Sequence, residues 1–258
     1  IQSPASFMGA WSAGGNIINA RRNSANAGTQ NAALVAGGFI SPSAINTTCT
    51  EEYNGSIWST GGALINGRHY GVGTGTQDAA LAIGGLSPSQ RSQTEEYNGS
   101  AWSAGGALPT SRYNMSSGGT QNSLLIFLGT QNGTPSMLNV SQQYDGTSWS
   151  DTNSLSCARY VAGGSGNTNE ALAFGGTTPA DSNNVEEYNG VSWVTSCSMI
   201  TARGQGGNNN VGSQASALAI SGFVGPAGSA LTEEYTKNNI PPYTTCVWTS
   251  GAGIITAR

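Results

Sequence analysis

Apolar residues in this chain come in short runs, each opened by a polar turn and closed by glycine. Residues 28–38 (GTQNAALVAGG), 75–85 (GTQDAALAIGG), 119–129 (GTQNSLLIFLG), 166–176 (GNTNEALAFGG) and 212–222 (GSQASALAISG) are five copies of one turn-and-strand pattern. Runs this short, bounded by Gly and Asn, predict strands. Helices are excluded, because the 38 glycines interrupt every unit and no stretch sustains a 3.6-residue period.

Fixed landmarks flank each run. Downstream lies Glu-Glu-Tyr, ending at Tyr53, Tyr97, Tyr188 and Tyr235, with Gln142-Gln143-Tyr144 in the third copy. Asn-Gly or Asp-Gly follows the first four tyrosines, and Trp58, Trp102, Trp149 and Trp193 each stand five residues after theirs. Tyr235 to Trp248 is thirteen residues instead, with Pro241 and Pro242 inside, so the chain carries one decorated loop. From Trp to the next Arg is always ten positions: Trp11 to Arg21, Trp58 to Arg68, Trp102 to Arg112, Trp149 to Arg159, Trp193 to Arg203 and Trp248 to Arg258. A unit of about 45 residues is the period of a propeller blade rather than a helical solenoid. Each unit reads as four strands: a small-residue strand after Arg, the apolar run, the Glu-Glu-Tyr strand and the Trp strand. The Asn-Gly pairs predict type I′ turns.

The architecture expected is all-β, one domain over 1–258: a β-propeller of five blades, each of four antiparallel strands. Closure is expected from the two chain ends, with residues around Trp11 completing the blade that holds Glu233, Glu234 and Tyr235. The alternative is part of a six- or more-bladed array, which the stop at Arg258 also fits.

Composition narrows the function. Only 9% of residues are charged, Lys237 is the sole lysine, and the net charge is −4. Arginines dispersed about one per repeat form no basic stripe, so nucleic acid is not an expected partner. No apolar run reaches about 18 residues, which argues against membrane insertion through a helix, and no signal peptide is visible. Cys49, Cys157, Cys197 and Cys246 lack Cys-x-x-Cys spacing and are read as ordinary thiols, with three disulfide pairings left open. With His69 the only histidine, no metal site or cofactor is expected.

The repeated polar residues admit two uses. Arg21, Arg68, Arg112, Arg159 and Arg203 could ring a channel mouth with His69 and hold a carboxylate or sulfate, or could pair with the glutamates and brace the repeats. Adjacent strand residues face opposite ways, so a Glu-Glu pair cannot converge on one bond as a glycosidase acid and nucleophile must. No catalytic residue is therefore assigned, and the chain is read as a non-enzyme. The phase-locked Trp11, Trp58, Trp102, Trp149, Trp193 and Trp248, with Tyr53, Tyr97, Tyr144, Tyr188 and Tyr235, are packing anchors of the repeat. Tyr70, Tyr113, Tyr160 and Tyr243 lie outside that phase and are freer for ligand contact.

The di-glycines Gly37-Gly38, Gly84-Gly85 and Gly175-Gly176, the tyrosine of the third strand and the tryptophan opening the fourth resemble the kelch repeat over essentially the whole chain. The third and fifth units depart from it, with Leu128-Gly129 and Ser221-Gly222. The resemblance implies blades around an axis, with the strand after each Arg innermost. In style the repeats are similar to kelch-like proteins of marine bacteria and their phages. That resemblance implies a structural or adhesion module, on a virion or at an extracellular cell surface, whose partners are other structural proteins, a host glycan or further copies of itself. A multivalent lectin is the first alternative. The second is a glycan-active hydrolase built on repeat-breaking residues: His69, Glu170, Asp181 and the loop from Lys237 to Thr245.

Overall fold

The computed structural model describes residues 13–131, 136–204, 212–225, 227–240 and 243–251; Trp11, Pro241, Pro242 and Arg258 lie outside them. All regular structure in these residues is β. Four four-stranded antiparallel sheets follow one another along the chain. The first contains Ala25–Thr29, Ala32–Ala36, Thr50–Tyr53 and Trp58–Thr60, and the second Val72–Gly75, Ala80–Ile83, Thr94–Tyr97 and Trp102–Ala104. The third contains Ser116–Thr120, Ser123–Phe127, Ser141–Tyr144 and Trp149–Asp151, and the fourth Gly163–Gly166, Ala171–Phe174, Val185–Tyr188 and Trp193–Thr195. A fifth sheet has three described strands, Ser216–Ile220, Thr232–Ile240 and Tyr243–Ser250. In these five sheets the strands pair in chain order, and Tyr opposes Trp in the last pair; among the described residues three two-stranded ribbons lie between strands of these sheets in the chain.

Alternation along the second strand builds the core. Ala80 and Ala82 face Leu34 and Ala36 of the first sheet, while Leu81 and Ile83 face Leu124 and Ile126 of the third. Leu125 and Phe127 then meet Ala171 and Ala173, and Leu172 and Phe174 meet Ala217 and Ala219. In the second, third and fourth sheets this strand is buried on both faces, which is why it reads as an unbroken apolar run rather than alternating with polar residues; in the first and fifth only one face is fully buried. Four hydrophobic clusters thus join five sheets in sequence. The first strands of successive sheets also lie against one another, which demands small residues: a Cβ on Gly73 would stand 2.4 Å from Asn26 N, and one on Gly118 2.8 Å from Gly166 O.

The di-glycine corner keeps its shape where its first glycine is lost. Leu128 and Ser221 take φ of +63° and +56°, matching +64°, +58° and +62° at Gly37, Gly84 and Gly175. The second residue's N–H donates to the carbonyl of the next unit's arginine: Gly38 to Arg68, Gly85 to Arg112, Gly129 to Arg159 and Gly176 to Arg203. At Leu128-Gly129 that bond to the following unit holds the corner in place at the cost of a strained non-glycine.

Three expectations are corrected. The Asn-Gly turns are not type I′, because only the glycine has positive φ (+92° at Gly55, +87° at Gly99). Asn54 Oδ1 instead accepts the N–H groups of Ser56 and Ile57, each at 3.0 Å, so a side chain orders a four-residue loop that a second left-handed residue was expected to order. The decorated loop is absorbed into longer strands: Tyr235 still opposes Trp248, and the ladder runs on to Ile240 opposite Tyr243. The strand carrying Trp248 thereby occupies the edge that residues around Trp11 were expected to fill. Finally, Cys197 and Cys246 form a disulfide, Cα atoms 5.9 Å apart, while Cys49 and Cys157 are free.

Candidate functional site

Each of the four Trp-to-Arg segments between Trp58 and Arg203 leaves one sheet and enters the next, and the first residue of the Glu-Glu or Gln-Gln pair in the sheet it enters captures it; Glu51 likewise captures the described part of the first segment, residues 13–21. Glu51 accepts the backbone N–H groups of Ile18 (2.6 Å) and Asn19 (3.1 Å) and the guanidinium of Arg21 (2.7 Å). Glu95 does the same for Ile65, Asn66 and Arg68, and Glu233 for Ile200, Thr201 and Arg203. Glu186 holds Ser156 N (2.8 Å) and Arg159 (2.7 Å). The side chains of Arg21, Arg68, Arg159 and Arg203 are 0–4% exposed, so these guanidiniums lie inside the protein, paired, and do not line an open mouth. A buried pair of this kind is costly to break, because the partner left behind is an uncompensated charge.

The third unit shows why the glutamate is needed. Three residues before its arginine stands Pro109, which has no N–H to offer, and there the acid is replaced by Gln142. Gln142 Oε1 accepts from Arg112 at 2.6 Å, while its Nε2 donates to Asp151 at 2.7 Å on the opposite strand. The negative charge has moved one strand outward. Burial pushes the Arg112 guanidinium down to about 10, with Asp151 opposing that shift.

The second residue of each pair reaches the other way, into the following sheet. Glu52 accepts the hydroxyl of Tyr97, Glu96 that of Tyr144, and Glu187 that of Tyr235 at 2.6 Å. Gln143 donates to Tyr188 Oη at 3.4 Å and to Thr168 O at 3.0 Å. Burial, and then the carboxylate bond, raises Tyr97 and Tyr235 and pushes Tyr144 up to about 12. Beside each tyrosine packs its tryptophan, ring centroids 4.8–5.1 Å apart from Trp58 through Trp248. At the last interface the repeat is reinforced. Lys237 bonds Glu187 and the disulfide ties the entering segment to the Trp248 strand. Burial raises the Glu187 pKa, but the bonds from Lys237, Ser196 and Tyr235 outweigh it and leave the carboxyl below its usual value.

Residues that break the repeat gather elsewhere, just after the arginines. Asn23, Tyr70, Asn114 and Val161 hold φ of +48° to +57° and pass one backbone bond along: Tyr70 N to Asn23 O (2.8 Å), Asn114 N to Tyr70 O (3.0 Å), Val161 N to Asn114 O (3.2 Å). A tyrosine and a valine in that region are strained, and such strain concentrates at functional positions. Along this line half-buried rings meet: Phe39 with His69 at 5.3 Å, His69 with Tyr70 at 4.6 Å, and Tyr70 with Tyr113 at 6.1 Å. The exposed Arg22 lies over Phe39, 5.1 Å from its centre. Burial, and then the charge of Arg22, lowers the His69 pKa and favours a neutral ring.

Phe39 and Arg22 were not foreseen as site residues. The signal was there, since Arg22, His69, Tyr113 and Tyr160 all directly follow an arginine. Among the described residues the other repeat-breaking polar residues share no hydrogen bond with this strip. Glu170 N caps onto Asn167, Asp181 accepts Gly225 N at 2.7 Å, and Lys237 is engaged by Glu187. Among the described residues no group of three His, Cys, Asp or Glu could hold a metal ion.

Glu95→Gln should cost roughly 3–5 kcal/mol in chemical denaturation, because Arg68 keeps its charge without a counterion. Adding Ala104→Asp, which opposes residue 95 as Asp151 opposes Gln142, should recover part of that loss. A second expectation concerns alkali. Tyr144 stays protonated in the fold to about 12, against about 10 when unfolded. Its bond thus favours the fold fully below pH 10 and is lost as pH rises from 10 to 12. Thermal melting temperature should fall over that range, less steeply in Tyr144→Phe.

Comparison with known protein families finds no matching family model, and comparison with characterised proteins finds no match.

Proposed function

We propose that the chain is a scaffold of five kelch-like propeller blades, open between the first and the fifth within one chain, non-enzymatic, which serves as a structural and adhesion module on a virion or cell surface and holds a host glycan through the ring strip. The observation that carries this is the run Phe39, His69, Tyr70 and Tyr113 with Arg22 over its end. Half-buried aromatic faces offer flat apolar surface to the C–H faces of a sugar, while the phenols and guanidinium hydrogen-bond its hydroxyl or carboxylate groups.

Five sheets with one strand order, and first strands packed side by side, support blades around an axis. A disulfide between Cys197 and Cys246 favours an oxidising compartment, as a surface location requires. The residues after the arginines differ from unit to unit (Arg22, His69, Tyr113, Tyr160, Gly204), which favours one composite site over a lectin with one equal pocket per blade. Against the hydrolase reading stand the glutamate pairs, whose two carboxyls lie on opposite sides of a strand, as Glu95 and Glu96 do, each bound in structure.

Screening against a panel of neutral and acidic saccharides should find binding that weakens roughly tenfold or more in Tyr70→Ala and Tyr113→Ala, with melting temperature nearly unchanged. Saccharide binding indifferent to both substitutions, or none at all, would remove the strip as the glycan site.

A further inference from the structure

Three of the four interfaces inside the chain use one code, and its two halves lie exposed on the first and fifth sheets. At an internal interface the later sheet gives a tyrosine hydroxyl to the second acid of the earlier one. It also gives a turn glutamine. Gln77 Nε2 donates to Ala33 O (2.9 Å) and Tyr53 O (2.8 Å), Gln121 to Ala80 O (3.1 Å) and Tyr97 O (2.7 Å), and Gln214 to Ala171 O and Tyr188 O. A leucine of the earlier sheet, Leu34, Leu81, Leu125 or Leu172, is buried at each.

The first sheet holds the giving half with nothing to give to. Gln30, equivalent to Gln77, Gln121 and Gln214, is exposed. Tyr53 is half-buried and its hydroxyl makes no hydrogen bond among the described residues, whereas Tyr97, Tyr144, Tyr188 and Tyr235 are 1% exposed. Ala33 and Val35, on the face turned from the second sheet, are half-buried too. The fifth sheet holds the receiving half. Glu234 is exposed and unbonded among the described residues, and Leu218 is half-buried. Ala217 opposes Tyr235 there, as Ala33 opposes Tyr53 in the sheet that receives Gln77. No hydrophobic cluster among the described residues joins these two faces within the chain.

We infer that the fifth sheet of one copy docks on the first sheet of a second copy, making there the interface that each chain makes three times internally. Tyr53 of the second copy donates to Glu234, and its Gln30 to the carbonyls of Ala217 and Tyr235. The contact is heterologous, head to tail, so each copy keeps one face open and association continues with concentration. A second copy is favoured because the two faces are complementary in the same groups that join successive sheets, and among the described residues no hydrophobic cluster joins them within one chain. The inference rests on the inter-sheet contacts and not on what the ring strip binds.

Sedimentation equilibrium across a concentration series tests it. The wild-type mass should climb above the monomer with concentration. Glu234→Lys, and separately Gln30→Glu with Tyr53→Phe, should each weaken self-association roughly tenfold or more. An equimolar mixture of the two variants should recover a dimer that grows no further, since one good face of each remains; that recovery also shows both variants folded. A wild type monomeric at every concentration would overturn the inference, whether or not Tyr53 and Glu234 prove coupled within the monomer. So would association that survives both variants, or a mixture that stays monomeric.

Discussion

The structure depends on two neighbouring carboxylates that must point apart. In a strand, adjacent side chains leave on opposite faces, so a Glu-Glu pair is a two-sided fastener. Its first member closes on the segment entering its own sheet, through two backbone N–H groups and a buried guanidinium. Its second member closes on the tyrosine of the sheet that follows. One dipeptide therefore fixes both where the chain comes in and what the sheet packs against, and repeating it arranges sheets in series without a disulfide or metal at each joint.

The exceptions show which property the repeat protects. Pro109 removes a donor, and the acid beside it gives way to Gln142 while Asp151 takes the charge outward. What is maintained is compensation of a buried arginine rather than a glutamate at a fixed position. At the last interface an eight-residue lengthening of the hairpin could have loosened the edge, yet Tyr235 and Trp248 keep their register. Lys237 and the Cys197–Cys246 bridge then add two ties that no earlier interface has. The fold is thus most heavily fastened next to the face whose Glu234 is left exposed.

Periodicity made the strands, their order and the Tyr–Trp pairing legible, since five copies of a short apolar run between turns allow few other structures. The corner at Leu128 and Ser221 was legible too, because the second glycine survives. Less could be read where a side chain replaces a backbone device. Asn54 bonding two N–H groups looks, in sequence, the same as an Asn-Gly turn with two left-handed residues. The Cys197–Cys246 contact depends on how far the last hairpin extends, which spacing does not reveal. Of the ring strip, His69, Tyr70 and Tyr113 were legible because they fall outside the repeated phase, while Arg22 and Phe39 were passed over by a reading that weighed repetition first.

The division of labour within the glutamate pair is most directly tested by double-mutant cycles in denaturant unfolding, combining Tyr144→Phe with Glu96→Gln and, separately, with Glu95→Gln. The account predicts a coupling of about 0.5–3 kcal/mol between positions 144 and 96, and additivity within about 0.5 kcal/mol between 144 and 95. Equal coupling to both glutamates, or to neither, would contradict it.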